Sequence, residues 1–145
     1  MNIRNLTIKE QVLEAMRRVY SNALTTTSGG NISAIDENGH IFITPSSIDK
    51  GTLTIDDIVE VLPDGTRIGR HVPSMELPFH SNIYKACPDI KAVVHAHAPA
   101  AVAYACMNIA PDSRCARVYA DALGKIVTTK YALPGSQQLG NIVMQ

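Results

Sequence analysis

Cysteine is scarce in this chain of 145 residues. The three cysteines are Cys87, Cys106 and Cys115, and none belongs to a C-x-x-C pair. An odd number without such pairs argues against a disulfide framework and against a zinc knuckle. Unpaired thiols are typical of a reducing compartment, so we expect a cytoplasmic protein.

The chain also has no excess of positive or negative charge. Lys+Arg 13 and Asp+Glu 13 give a formal net charge of zero, and no basic run occurs. A nucleic acid or an anionic membrane surface therefore has no electrostatic support as a partner. The apolar runs are too short to cross a bilayer, and residues 1–4 lack the apolar core of a signal peptide. P-loop and G-x-G-x-x-G patterns are absent, which leaves nucleotide binding without support.

The remaining composition is that of a globular domain. Hydrophobic residues make up 46% of the chain and charged residues 18%, and no repeat or low-complexity segment interrupts it. Residues 1–145 are long enough for one domain with a real core.

Local patterns predict an alternation of helices and strands. A capping box, Thr7 with Glu10, opens a helix that continues to about Leu24. Ser74 is the predicted N-cap of a helix from about 75 to 86, and Ser136 caps a last helix. The turn residues Asn38-Gly39 and Pro63-Asp64-Gly65 predict two hairpins, 31–35 with 40–43 and 58–62 with 66–68. Further strands are predicted before the histidines at 95 and 97 and at 125–129, and a further helix over 100–107.

The last predicted helix has no termination signal. No C-terminal glycine, proline or polar tail follows Val143 before the chain stops at Gln145. We therefore expect that the C-terminal portion of a longer domain is missing. The alternative is a naturally short, frayed terminus.

The pair His95 and His97 is the strongest chemical signal. It follows Val93-Val94, which is typical of the end of a buried strand. Side chains two apart on a strand share a face, so both imidazoles would lie side by side and form half of a metal site. The alternative is two histidines that are hydrogen-bonded within a core.

Glu76 is the candidate for a third metal ligand, because a catalytic zinc usually takes three protein ligands. A carboxylate at a helix start is also favoured by the helix dipole alone, which is the simpler explanation. His80 shares the helical face of Glu76, so it could bind metal, orient Glu76, or be an ordinary helix residue. His40 and His71 are expected to be surface residues.

Three polar loops lie at structure boundaries, at residues 28–31, 44–47 and 73–75. Their small hydroxyl, amide and glycine residues let backbone N–H groups approach an oxyanion, so together they could hold a phosphate. Each loop alone is also compatible with an ordinary turn.

These motifs together resemble the class II aldolase/adducin family, especially its fuculose-phosphate aldolases. They are Ser28-Gly29-Gly30-Asn31-Ile32-Ser33, Ile43-Thr44-Pro45-Ser46-Ser47, Pro73-Ser74-Met75-Glu76 and Ala92-Val93-Val94-His95-Ala96-His97, in this order over nearly the whole chain. The resemblance implies an α/β fold, a three-layer α/β/α arrangement with a central, mainly antiparallel sheet. It also implies Zn²⁺ or another divalent metal, and a homotetramer with sites between subunits.

The resemblance also assigns roles to residues. Glu76 matches the acid/base carboxylate that touches the metal, and His95 and His97 match two metal ligands. The phosphate-binding positions of the family fall on Gly30, Asn31, Ser46, Ser47, Ser74 and Met75. Met75 departs from the family, which commonly has a hydroxyl residue there, and a thioether is a poor phosphate partner. The family's third histidine ligand and a proton-donating tyrosine would follow the last helix, so we expect weak metal binding by this chain.

The function that the resemblance implies is a metal-dependent aldolase. It would cleave a sugar phosphate such as L-fuculose 1-phosphate to dihydroxyacetone phosphate and an aldehyde, with Glu76 moving the proton. A pentulose-phosphate epimerase or a sugar-phosphate dehydratase on the same fold is the enzymatic alternative. A non-catalytic, adducin-like interaction domain is the alternative from another class.

Overall fold

The computed structural model describes residues 3–115 and 117–144. The helices are α1 (Ile8–Ser21), α2 (Leu77–Ala86), α3 (Pro99–Cys106), α4 (Arg117–Leu123) and α5 (Gln137–Val143). The strands are β1 (Asn31–Ile35), β2 (Ile41–Ile43), β3 (Val59–Val61), β4 (Arg67–Ile68) and β5 (Ala92–His95). Short 3-10 turns occur at Ile3–Asn5, Ile55–Asp57 and Ser113–Cys115. Among the described helices, none is long and apolar enough to cross a membrane.

The five strands form one sheet in the order β4-β3-β2-β1-β5, and every neighbouring pair is antiparallel. The two hairpins that the turn residues predict supply β1 with β2 and β3 with β4. β5 arrives from a distant part of the chain and pairs with β1, so that Asn31 lies opposite His95. This register joins the glycine-rich loop before β1 to the histidine pair at the end of β5.

The two faces of β1 carry different residues. Ile32 packs with Val12 and Met16 of α1 in an apolar core. The side chains of Asn31 and Ser33 point to the other face, where both contact α2. The sheet therefore lies between α1 and α2, and the expected three-layer α/β/α arrangement with an antiparallel sheet is confirmed.

Two of the three helix caps that the sequence predicts are present in the structure. The capping box between Thr7 and Glu10 and the Ser136 cap, which accepts from the Leu139 N–H at 3.1 Å, are confirmed. The expected cap at Ser74 is wrong, because α2 begins at Leu77 and Glu76 occupies its N-cap position. Ser74 Oγ instead accepts from the Glu76 N–H at 3.2 Å and closes the turn before the helix.

Two strand predictions need correction. β5 exists, but it lies at the sheet edge with Val94 57% exposed, so it is not the buried strand that its apolar sequence suggests. Residues 125–129 form no strand, although their composition favours one, because they run along a cavity wall without a strand partner in the described part of the chain. Helix α4 was not anticipated by the local pattern.

The last helix, α5, ends at Val143. The expectation that the helix continues to the end of the chain concerns Gln145, which lies outside the described residues.

Candidate active site

A large cavity of about 1450 Å³ opens where the ends of β1 and β5 meet the start of α2. All the residues proposed from the motifs line it: Gly30, Asn31, Ser46, Ser47, Ser74, Met75, Glu76, His95 and His97. The far wall consists of α3 and residues 126–132. Residues as far apart in the chain as Gly30 and His97 therefore line one cavity.

Glycines 29 and 30 allow the loop before β1 to approach the histidines. A Cβ at Gly29 would lie 2.7 Å from Nδ1 of His97, and one at Gly30 would lie 2.7 Å from the carbonyl oxygen of His95. Gly30 also has a positive φ of 66°, which favours glycine. The role of these glycines is thus to bring two loops together, in addition to any exposure of backbone N–H groups.

Glu76 is buried at the centre of this contact, with 8% of its surface exposed. Its Oε2 accepts a hydrogen bond from Asn31 Nδ2 at 2.6 Å and a short one from His95 Nδ1. Burial raises the pKa of the carboxyl, but the hydrogen bonds from His95 and Asn31 outweigh it and hold the pKa below its ordinary value of 4.5. Glu76 is therefore anionic in this site at neutral pH.

His95 and His97 lie side by side, with ring centroids 4.8 Å apart. Phe79 of α2 packs edge-on against His95, with centroids 6.0 Å apart. Burial and the neighbouring His95 lower the pKa of His97 against the attraction of Glu76, which favours a neutral ring. Neutral imidazole is the form that binds metals.

The donor types of this trio fit a divalent metal, since two imidazoles and one carboxylate are a common zinc set. The hydrogen bond between Glu76 and His95 uses Oε2 and Nδ1, and within the described chain no hydrogen bond reaches Nε2 of His95. The three side chains do not form a complete metal site in the structure, however. Within residues 3–115 and 117–144, no three His, Cys, Asp or Glu side chains form a group that could hold a metal ion.

His80 does not enter the cavity; it is fully buried behind Asn31. Its Nε2 lies 2.5 Å from Asn31 Oδ1, and its Nδ1 lies 2.7 Å from Ser33 Oγ. Because Asn31 uses its NH₂ group toward Glu76, its oxygen must accept from His80 Nε2–H. Burial lowers the pKa of His80 to about 4, which agrees with a neutral ring.

The same donor-to-acceptor order extends from His80 through Ser33 to Tyr84 of α2. With Nε2 protonated and the ring neutral, Nδ1 of His80 accepts from Ser33 O–H. Ser33 Oγ then accepts from the Tyr84 hydroxyl at 2.6 Å. A single chain of donors therefore runs from Tyr84 through Ser33, His80 and Asn31 to the anionic Glu76, which makes His80 a positioning residue.

Two of the three loops expected at the phosphate, 44–47 and 73–75, are linked to each other. Pro45 pairs with Pro73, and Ser74 N–H donates to the Thr44 carbonyl at 3.2 Å. Ser47 has a positive φ of 57°, which is unusual for a residue with a Cβ. Met75 is 69% exposed and lines the cavity. The phosphate roles of these residues remain predictions, but the loops do form one wall.

Three other residues differ from expectation. His40 and His71 are half-buried and not simply exposed, because they contact Glu60 at 2.9 Å and Asp57 at 2.7 Å, and neither lines the cavity. Lys50, which no motif singles out, is buried at the cavity wall. A lysine in a polar loop is normally solvated, so the sequence offers no signal of its burial.

Known proteins resemble this chain over most of its length. The 3-oxo-tetronate 4-phosphate decarboxylase of Haemophilus influenzae is 28% identical over 139 residues, which are 93% of this chain and 66% of that protein. The L-ribulose-5-phosphate 4-epimerase of Salmonella paratyphi B is 38% identical over 100 residues, 68% of this chain and 44% of that protein. A solved L-fuculose 1-phosphate aldolase superposes with a TM-score of 0.82 at 31% identity, over 92% of this chain and 64% of the aldolase.

The chain thus spans between 44% and 66% of the length of these relatives. They carry three activities, one of which, decarboxylation, the motifs do not suggest. The sequence profile named Class II Aldolase and Adducin N-terminal domain matches residues 10–145. The chain therefore belongs to the class II aldolase and adducin N-terminal domain family.

Proposed function

We propose that this domain belongs to a metal-dependent aldolase that cleaves a sugar phosphate to dihydroxyacetone phosphate and an aldehyde. The observation that carries the proposal is the contact of an anionic Glu76 with His95, beside His97 and the three polar loops, in a single cavity. A buried carboxylate with its charge retained is suited to moving a proton on carbon.

Glu76 has one task in each direction of the reaction. In condensation, the carboxylate removes a proton from the hydroxymethyl carbon next to the carbonyl of dihydroxyacetone phosphate, and the C–H electrons pass into an enediolate. In cleavage, the protonated carboxyl returns that proton to the same carbon after the C–C bond breaks. Asn31 and His95 stabilise the anionic form through their hydrogen bonds to Oε2.

Members of this family generally use a divalent metal. We assign Glu76, His95 and His97 as the residues that would hold it here. When bound, such an ion supplies Lewis-acid polarisation of the substrate carbonyl, with zinc as the ion of first choice. An ion held by both Glu76 and His95 would take the place of their present hydrogen bond, because the two ring nitrogens of an imidazole face away from each other.

The phosphate would lie against the loops that contain Gly30, Asn31, Ser46, Ser47, Ser74 and Met75. Small residues and hydroxyl groups line this wall, which suits a phosphate that is held by backbone N–H and O–H donors. Met75 contributes its backbone only, because its thioether is a poor partner for phosphate.

The activities named for the relatives share one chemical step. A retro-aldol cleavage and the decarboxylation of a 3-oxo acid each break a C–C bond whose electrons pass into a neighbouring carbonyl. A 4-epimerisation can follow the same cleavage if the two fragments recombine on the opposite face. A site that stabilises an enolate can therefore serve any of them, and substrate contacts decide which occurs.

The test is a product analysis with zinc supplied. The protein is incubated with L-fuculose 1-phosphate, L-ribulose 5-phosphate and 3-oxo-tetronate 4-phosphate, and products are followed by NMR. Release of dihydroxyacetone phosphate from the first substrate supports the proposal. An epimerised pentulose phosphate, loss of carbon dioxide, a dehydrated product, or no turnover of any substrate would each contradict it, the last in favour of an adducin-like interaction domain.

Two further assignments accompany this function. We propose a cytoplasmic location, since Cys87, Cys106 and Cys115 are all free thiols. We also propose a homo-oligomer, with a tetramer expected from the family resemblance. The exposed apolar side chains Val118 and Tyr119 of α4 lie outside the cavity and support a subunit contact at that helix.

A further inference from the structure

Lys50 is the largest fully buried side chain of the described chain, with 1% of its surface exposed. It follows the Pro45–Ile48 turn and lines the same cavity as Ser46 and Ser47. A lysine is almost never buried to this extent without an acidic partner. Its position therefore calls for an explanation.

The contacts of Lys50 are with the backbone. Its Nζ donates to the carbonyl oxygens of Pro45 at 2.9 Å and Ile48 at 3.1 Å. Among residues 3–115 and 117–144, no carboxylate lies within ion-pair distance of Nζ. The neighbouring Asp49 is exposed and accepts from the Gly51 N–H at 2.8 Å.

An ammonium group has three donors, and the two carbonyls accept from two of them. The hydrogen bonds are thus mostly satisfied, but the positive charge is not compensated. A buried charge without a counter-charge is costly, and burial accordingly lowers the pKa of Lys50, against the attraction of Asp49. An anion that enters the cavity would supply the missing counter-charge.

Glu76 does not fill this role, although it lines the same cavity. Its carboxylate is committed to Asn31 and His95, and the structure shows no ion pair between it and Lys50. The positive charge lies behind the Pro45–Ile48 turn, while Ser46 and Ser47 of the same turn line the cavity.

We propose that Lys50 is a specificity-determining residue for a dianionic phosphate group. It holds the two carbonyls of the Pro45–Ile48 turn in place, and its charge makes that turn attractive to a phosphate monoester. The inference rests on the phosphate subsite of the proposed function. It deepens that proposal, because it names the charge that selects phosphorylated substrates over neutral sugars.

The experiment measures binding of inorganic phosphate, by calorimetry at constant ionic strength, to the wild type, Lys50→Met and Lys91→Met. Lys91 is the matched control, since its Nζ also donates to a backbone carbonyl, that of Pro88 at 2.9 Å, but it is exposed and outside the cavity. We expect Lys50→Met to weaken phosphate binding at least about tenfold and Lys91→Met to leave it unchanged. Equal affinity in all three proteins, or no phosphate binding by the wild type, would overturn the inference.

A second measurement, on the wild type alone, tests the inference even if the Lys50→Met variant fails to fold. In the wild type, the ¹⁵N resonance of the Lys50 ammonium is followed during phosphate titration. A shift that saturates together with the calorimetric binding curve supports the inference, and an unchanged resonance refutes it. Neither readout requires turnover, so a Lys50-dependent phosphate site would stand even if no aldolase activity were found.

Discussion

Asn31 donates a hydrogen bond from Nδ2 to Oε2 of Glu76 over 2.6 Å, across 45 residues of sequence. The bond joins the first residue of β1 to the residue that caps α2. Its direction is fixed, because the side-chain oxygen of Asn31 accepts a hydrogen bond from His80. The Asn31 amide therefore keeps its NH₂ group directed at the Glu76 carboxylate.

Replacement of Asn31 with alanine should weaken metal binding and slow proton transfer together. The variant removes a donor that stabilises the anionic Glu76 and orients it. Loss of such a supporting hydrogen bond typically costs about 10- to 100-fold in metal affinity. Zinc affinity is measured by competition with a chelator, and Asn141→Ala, at an exposed amide of α5, is the control that should bind zinc as the wild type does.

Gly29→Ala should disturb His97 without unfolding the domain. The added Cβ would lie 2.5 Å from Oγ1 of Thr26 and 2.7 Å from Nδ1 of His97, so both side chains must move. We expect weaker zinc binding with a small loss of stability. Gly51→Ala is the matched control, because its Cβ would meet the ring of Tyr20 at 2.7 Å, outside the cavity. Equal zinc affinity in both variants would refute this role of Gly29.

His80 should make stability depend on pH between about 4 and 6.5. Its pKa is lowered to about 4 in the folded protein from the ordinary value of 6.5. Between these values the unfolded chain binds more protons than the folded one, so stability rises with pH and is lost on acidification. The full shift of the His80 pKa corresponds to at most about 3 kcal/mol in the free energy of unfolding.

Urea unfolding of the wild type and His80→Gln at several pH values tests this dependence. The glutamine variant should be less stable at pH 7, and its stability should change less between pH 4 and 6.5. Parallel pH profiles for the two proteins would show that His80 is not a buried neutral imidazole.

Ser47→Gly should stabilise the protein at the proposed phosphate loop. Ser47 adopts φ 57°, and a residue with a Cβ pays for this left-handed conformation, whereas glycine does not. We expect a gain of about 1 kcal/mol in the free energy of unfolding. Ser47→Ala keeps the Cβ and the strain, so its midpoint of denaturation should not increase.

Local signals of the sequence identify most elements. The Thr7 capping box and the Asn38-Gly39 turn act through near neighbours, and both structures form as predicted. The family profile and the α/β/α fold agree with the motif order, because motif spacing reflects the whole architecture. Such signals need no knowledge of distant contacts.

What could not be predicted depends on contacts between distant residues. The edge position of β5 depends on which strands pair, and an apolar run such as Val93-Val94 is compatible with either edge or centre. The burial of Lys50 depends on the turn at Pro45 folding over its side chain. The direction of the chain from Tyr84 to Glu76 depends on three elements meeting, which no local pattern encodes.

The most direct test of the central claim is deuterium exchange into dihydroxyacetone phosphate. The protein is supplied with zinc in D₂O without an aldehyde, and the hydroxymethyl protons are followed by NMR. This half-reaction needs no aldehyde and no change in a C–C bond, so with zinc supplied it isolates the proton transfer assigned to Glu76. We expect the wild type and Glu37→Gln, at an exposed glutamate, to incorporate one deuterium, and Glu76→Gln to incorporate none. Exchange by Glu76→Gln at the wild-type rate, or no exchange by the zinc-supplied wild type, would contradict this expectation.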